Sequence, residues 1–214
     1  MRTKRSIDII LGGTLVVVLA PAMAIIAAAI WSTMGLPILF RQVRPGYRGR
    51  PFVLVKFRTL QEGTYADGRP LPIKQRLTPL GYFLRRTGLD ELPQLWNVIR
   101  GDMSLVGPRP LLTAYLPLYS AQQARRHEMR PGLTGIAQAK GRHHLPWHDR
   151  LALDIWYVDN WSLSLDLKVM WWTIKQALAG RGSAPPDADD YNFKGAASED
   201  DEGITDPQKP PVPY

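Results

Sequence analysis

The run IILGGTLVVVLAPAMAIIAAAI, Ile9 to Ile30, decides the fold, because no charged residue occurs between Asp8 and Arg41. As a helix its 22 residues measure about 33 Å, enough to cross a bilayer core. A cleaved signal sequence is excluded: the run is too long and leads straight into domain-like sequence. A simple transmembrane span is the serious competitor, and two features weigh against it. Pro21 falls mid-run, removes one helical hydrogen bond and predicts a kink, leaving the Val17 carbonyl in need of a partner. Both flanks are basic, with Arg2, Lys4 and Arg5 before the run and Arg41, Arg44, Arg48 and Arg50 after it. Positive flanks favour the cytoplasmic side, and a single span cannot put both there. The sequence therefore predicts a re-entrant helix over 1–34 that bends at Pro21 and returns to the same leaflet.

The 214 residues suffice for one domain with a full core. The absence of cysteine excludes disulfides, thiolate metal sites and a cysteine nucleophile. The formal charge of +8 is unevenly placed: residues 183–214 hold eight acids and two lysines, which leaves +14 on residues 1–182. A body that basic suits polyanions, whether nucleic acid, anionic headgroups or phosphorylated substrates. The tail 183–214 is rich in Asp, Glu, Pro, Ala and Gly, and its composition predicts a disordered, solvated segment despite Tyr191, Phe193 and Tyr214.

Past the apolar run, LPILFRQVR and PFVLVKFRT read as two short strands joined by the turn PGYRGR. Alternation puts Phe52, Leu54, Lys56 and Arg58 on one face, with Val53, Val55 and Phe57 on the other. Helices are predicted in TPLGYFLRRT, DELPQLWNVIRG, LLTAYLPLYSAQQARRHEM, WHDRLALDIWYVDNW and LDLKVMWWTIKQALAG, with RPGLTGIAQAKGR as an interrupting turn. Lys168 and Lys175 beside Met170, Trp171 and Trp172, with Trp156, Tyr157 and Trp161 nearby, predict an amphipathic surface lying at a membrane interface.

The acidic pair Asp90-Glu91 stands among Arg85, Arg86, Arg100 and Arg109. Its plainest reading is a helix start, with Asp90 as N-cap and Glu91 as a first-turn acid ahead of Pro93. A second reading gives the two acids separate tasks at one site. Neighbours on a helix point about 100° apart, so they cannot flank a bond as a glycosidase pair does. One can attack as a nucleophile while the other holds a hard cation. Guanidinium forks match phosphate oxygens, and the prolines on either side of Arg109 stiffen its backbone. The pattern points to phosphoryl chemistry on a diphosphate with Mg²⁺.

KFRT, TPLGYFLRRTGLDELPQLWNVIRGDMSLVGPRPLL, RPGLTGIAQAKGR and LDIWYVDNWSLSLDLKVMWWTIKQAL closely resemble the bacterial sugar transferases, the monotopic phosphoglycosyl transferases. The resemblance covers about residues 2 to 180 in order, and the 24-residue block Thr87–Pro110 is highly specific. It implies transfer of a sugar-1-phosphate from a UDP-sugar to polyprenyl phosphate, releasing UMP by a ping-pong covalent aspartyl mechanism. It implies Asp90 as nucleophile and Glu91 as Mg²⁺ ligand, with Arg85, Arg86 and Arg109 toward phosphate and Lys56 and Asp166 in support. It also implies the cytoplasmic face of a bacterial inner membrane and leaves a homo-oligomer open. The implied fold is α+β, mostly α: a re-entrant membrane helix (1–34), then a cytosolic catalytic domain (35–182) with a small β-hairpin and interfacial amphipathic helices, then the acidic tail.

Two departures stand out. Ala20-Pro21 replaces the family's Ser-Pro, so no hydroxyl bonds back to a carbonyl at the bend. GRHHLPWHD departs from the family's usual continuation and is where sugar or nucleotide selectivity is expected. His144 and His148, spaced i, i+4, could share a metal, but with His143 they read as surface or site-lining histidines, since no motif places a third ligand. A nucleic-acid binder is disfavoured, because the acidic pair would repel a phosphate backbone. A non-catalytic basic membrane-associated scaffold of a glycan assembly complex is the remaining alternative.

Overall fold

Helix α1 runs from Arg2 to Met34 with Pro21 inside it, in a computed structural model that describes residues 2–63, 65, 68–69, 71–140, 145–178, 193 and 195. The helix continues through the proline, and one face of its middle is bare, with Val17, Val18 and Ile25 strongly exposed, while Val16 and Leu19 pack against the core. Both of its ends are fastened to one domain. At the first turns Lys4 Nζ lies 2.5 Å from Asp166 and 3.3 Å from the Tyr157 hydroxyl. The Arg5 guanidinium donates to the Val98 and Ile99 carbonyls. Asp8 accepts from the Ser104 hydroxyl and the Leu105 amide, both at 3.0 Å. At the far end Ile26 and Ile30 pack with Phe57 and Leu84. Arg58 donates there to the carbonyls of Met34, Gly35 and Leu36, which a helix end otherwise leaves unpaired. Lys4 and Arg5, read in the sequence as a charged membrane flank, are thus anchors inside the protein.

Strand β1 (Leu39–Pro45) pairs antiparallel with β2 (Pro51–Phe57), as the sequence predicts. Phe52 and Leu54 point inward and Val53 outward. Phe57, which alternation puts on the face of the exposed Val53, is buried, because the strand end meets α1 and the following helices. The outer edge of β2 is closed by a side chain: Asn97 Oδ1 accepts from the Val55 amide, and its Nδ2 donates to the Val53 carbonyl.

A short α2 (Ile73–Arg76) precedes α3 (Pro79–Thr87) and α4 (Gln94–Arg100). Strand β3 (Ser104–Val106) follows, and the predicted helix over 111–129 breaks into three pieces. Pro117 sits in a 3-10 turn, and Ser120 restarts the chain with a capping box at α5 (Ala121–Ala124). The stretch RPGLTGIAQAKGR, expected to be a turn, holds strand β4 (Gly132–Thr134), parallel to β3, and α6 (Ile136–Lys140). The backbones meet closely there: a Cβ on Gly132 would stand 2.1 Å from the Gly107 nitrogen. Helices α7 (Trp147–Asp159) and α8 (Leu163–Leu178) complete the described chain.

The main core joins Leu95 and Val98 of α4 with Val106, Ile136, Leu153 and Val169. Trp156 and Tyr157, expected at an interface, belong to this core, whereas Trp171 is exposed. A second cluster stacks Phe193 against Tyr115, Tyr119 and Trp147, with ring centroids 5.2–5.6 Å apart. Phe193 is 5% exposed, so this part of the tail docks rather than standing in solvent. Apart from Gly195, the rest of the tail 183–214 lies outside the described residues.

Candidate active site

The KFRT segment and the turn after α3 build the site together. Helix α3 is capped by Thr78, which accepts from the Gly81 amide at 2.9 Å, and it ends at Gly88 with φ 75°. Gly81 lets α3 approach β2 closely: a Cβ there would stand 2.0 Å from the Thr59 carbonyl oxygen. That crossing brings Arg85 to Thr59, whose hydroxyl accepts from Arg85 Nε at 2.9 Å. The chain reverses at Gly88 and enters a 3-10 turn, Leu89–Glu91, before α4. Asp90 makes no cap hydrogen bond, and the residue preceding α4 is Pro93. The helix-cap reading of Asp90 is therefore excluded.

Asp90 is 2% exposed, and its Oδ1 has no hydrogen-bond partner. Burial, then the neighbouring Glu91 charge, raises its pKa from 3.8 to about 6. Lys56, Arg85 and Arg109 act in the opposite direction. Lys56 is itself pushed below its ordinary value, chiefly by burial, although Asp90 opposes this. Glu91 Oε1 accepts from Arg109 at 3.1 Å. The fold thus gathers Lys56, Arg85, Asp90, Glu91 and Arg109 from three separate segments.

Two predicted members do not join them. Arg86 is exposed on α3 and is not among the charges that shift Asp90 or Lys56. Asp166 is held at the foot of α1, where it accepts from Lys4 at 2.5 Å, Tyr157 at 2.6 Å and Trp161 at 3.1 Å. It is an anchor for that helix, because burial of Lys4 needs a paired acid.

Sequence reading missed the residues that aim Arg109. The buried Arg126 donates to the Arg109 carbonyl at 2.7 Å and pairs with Asp154 at 2.5 Å. Burial pushes the Asp154 carboxyl up, while Arg126 opposes it. In sequence Arg126 looks like one of many surface arginines, and nothing there marks it.

Two adjacent carboxylates, one with a buried unpaired oxygen, form a hard donor set. Mg²⁺ is usually bound through one or two carboxylates plus substrate phosphates and water, and these residues fit that pattern. Among the described residues no cluster of three or more His, Asp or Glu could hold an ion by itself. His148 stands 3.4 Å from Asp149. His143, His144 and the first four residues of the proposed selectivity segment, 141–144, lie outside the described residues.

Beside the cluster opens a cavity of about 590 Å³. Glu91, Arg109, Arg126 and Asp154 line one part of it, and apolar side chains of α1 and α8 line another. Lys56, Arg85 and Asp90 do not line it.

Comparison with known proteins gives the family. The family model for bacterial sugar transferases matches residues 1–180. A sugar transferase of Bacillus subtilis, EpsL, is 53% identical over 149 residues, covering 70% of this chain and 74% of the relative. The UDP-glucose:undecaprenyl-phosphate glucose-1-phosphate transferase of Caulobacter vibrioides is 42% identical over 187 residues, covering 82% and 69%. The exopolysaccharide production protein ExoY of Sinorhizobium fredii is 35% identical over 198 residues, covering 85% and 88%. This chain belongs to the bacterial sugar transferase family.

Proposed function

We propose that the chain moves a sugar-1-phosphate from a UDP-sugar to polyprenyl phosphate at the cytoplasmic face of a bacterial inner membrane. The observation that carries this reading is the buried Asp90 carboxylate, with Oδ1 unpaired, beside Glu91 and under the charge of Lys56, Arg85 and Arg109. In the first half-reaction an Asp90 oxygen attacks the sugar-side phosphorus, the bond to the UMP oxygen breaks, and UMP leaves with that electron pair. In the second, a phosphate oxygen of the lipid attacks the same phosphorus and Asp90 departs. The products are UMP and polyprenyl diphospho-sugar.

Lys56, Arg85 and Arg109 hold the diphosphate oxygens in this scheme, and they keep Asp90 ionised against its burial. Glu91 would hold Mg²⁺, which supplies positive charge to the phosphate oxygens as charge develops there. Arg126 fixes the Arg109 backbone, so the guanidinium is aimed before substrate arrives. Arg86 is left as a peripheral phosphate contact.

A monotopic placement is supported by α1, whose two ends pack on one domain while one face of its apolar middle is bare. A straight span would carry those ends to opposite sides of a bilayer. Exposed Leu167, Trp171 and Ile174, at i, i+4 and i+7, put an apolar stripe on α8 beside Lys168 and Lys175. A scaffold without chemistry would have no use for a carboxylate kept buried and unpaired.

The test is UMP release from a panel of UDP-sugars with Mg²⁺ and undecaprenyl phosphate, with Asp90→Asn as control. Mass spectrometry of protein incubated with donor alone should find the sugar-phosphate adduct on Asp90. Full turnover by the variant, or an adduct elsewhere, would overturn the assignment.

A further inference from the structure

The 590 Å³ cavity has walls that a nucleotide sugar would not favour. Leu11, Leu15 and Leu19 of α1 face it from one side, and Met170 and Ile174 of α8 from another, with Ala137 between them. A UDP-sugar carries hydroxyls, ring amides and charge along its whole length, and placing these against leucine would leave them unpaired. The polar side of the site, with Lys56 and Arg85, lies outside the cavity, and the two regions share Glu91 and Arg109. Its α1 wall belongs to the helix whose outer surface is bare and apolar, so the cavity is continuous with the part of the molecule that faces lipid.

We propose that this cavity takes the isoprenoid units of the acceptor nearest its phosphate, with that phosphate at the Glu91–Arg109 junction. This rests on the function proposed above. The donor then occupies the Lys56–Arg85 side, and the two substrates approach the Asp90 turn from different directions. Such a division suits a ping-pong reaction, because UMP can leave by the polar side before the lipid phosphate reaches Asp90 from the other.

The volume limits how much chain is read. At roughly 30 Å³ for a water- or methylene-sized group, the cavity holds on the order of 20 such groups, about four isoprenoid units. The chain enters from lipid or detergent rather than from water, so each seated unit adds packing contact with the cavity wall. Acceptor recognition should therefore strengthen with length up to about four units and then level off, the rest of the chain lying along α1 in lipid.

The experiment measures KM for polyprenyl phosphates of increasing length, in one detergent, for the wild type and for Ile174→Trp. Ala177→Trp, at an exposed lining position on the last turn of α8, serves as a second filled variant should the first fold poorly. The expected result is a wild-type KM that falls until about four units and then stays flat. The filled variants should level off earlier, so that their ratio of long-acceptor KM to two-unit KM is severalfold higher than in the wild type. Identical length profiles in wild type and variants would overturn the proposal. So would loss of the acceptor-free UMP burst in a folded filled variant, which would place the donor in the cavity. Absence of that burst in the wild type, with every UDP-sugar, would instead sink the proposed function.

Discussion

Asp90→Asn should abolish sugar-phosphate transfer and, at the same time, make the protein more stable. The reason is the cost of keeping a charge where Asp90 lies. Its pKa rises from 3.8 to about 6, with burial as the first cause and Glu91 as the second. At about 1.4 kcal/mol per pH unit, ionised Asp90 costs the folded protein at most about 3 kcal/mol relative to a neutral side chain. The sign follows from linkage. Between the two pKa values the folded state holds the proton more tightly than the unfolded chain, so stability falls as pH rises from about 4 to about 6. Above that range the cost is constant, and below it the cost vanishes. Asparagine removes the cost, less whatever Lys56 loses with its counter-charge. For a chain of this size, about 3 kcal/mol corresponds to roughly 6–12 °C in Tm. Calorimetry of both proteins in detergent, from pH 8 to pH 4.5, reads the effect. The variant should melt higher at pH 7.5, and the gap should close toward pH 4.5. A variant that melts lower at pH 7.5, or a gap independent of pH, would refute the burial argument.

Four further outcomes follow from the geometry. The single-turnover rate of UMP release should rise through about pH 6 as Asp90 loses its proton, and a flat profile between pH 5 and 8 would contradict the assignment. Asp166→Asn should cost about 3–5 kcal/mol by leaving Lys4 buried without a charge partner. Adding Lys4→Met should restore both folding and turnover, whereas a stable but inactive double variant would return Asp166 to the chemistry. Phe193→Ala should lower stability by about 3 kcal/mol through loss of its ring cluster. Chain ending after Gly195 should melt like the full protein and chain ending at 182 should not. Asn97→Ala should cost about 2 kcal/mol, seen in denaturant melts, because the Val55 amide and Val53 carbonyl lose their partner.

Much of this was legible in the residues. The hairpin follows from alternation around PGYRGR, and the last two helices from long amphipathic runs with few breakers. The helix predicted over 111–129 failed because Pro117 and a capping box at Ser120 outweigh its apolar periodicity. Strand β4 was invisible because three residues carry no period, and its pairing depends on Gly107 and Gly132 meeting across distant sequence. Phe193 lay in a stretch whose composition argues for solvent, and only the aromatic pocket of Tyr115, Tyr119 and Trp147 overrides that.

By itself the sequence determined the apolar α1, the hairpin, the excess of positive charge and the residue types for phosphoryl chemistry, since periodicity, charge and chemical identity are local properties. Which residues meet was decided only by the tertiary structure. Asp90 and Asp166 are the same chemical group and both are buried. One lies in a 3-10 turn with an oxygen unpaired among three cations; the other is saturated by Lys4, Tyr157 and Trp161. The carboxylate is fixed by the sequence, but its partners are set by how the chain packs, and the partners decide whether it is left open or saturated.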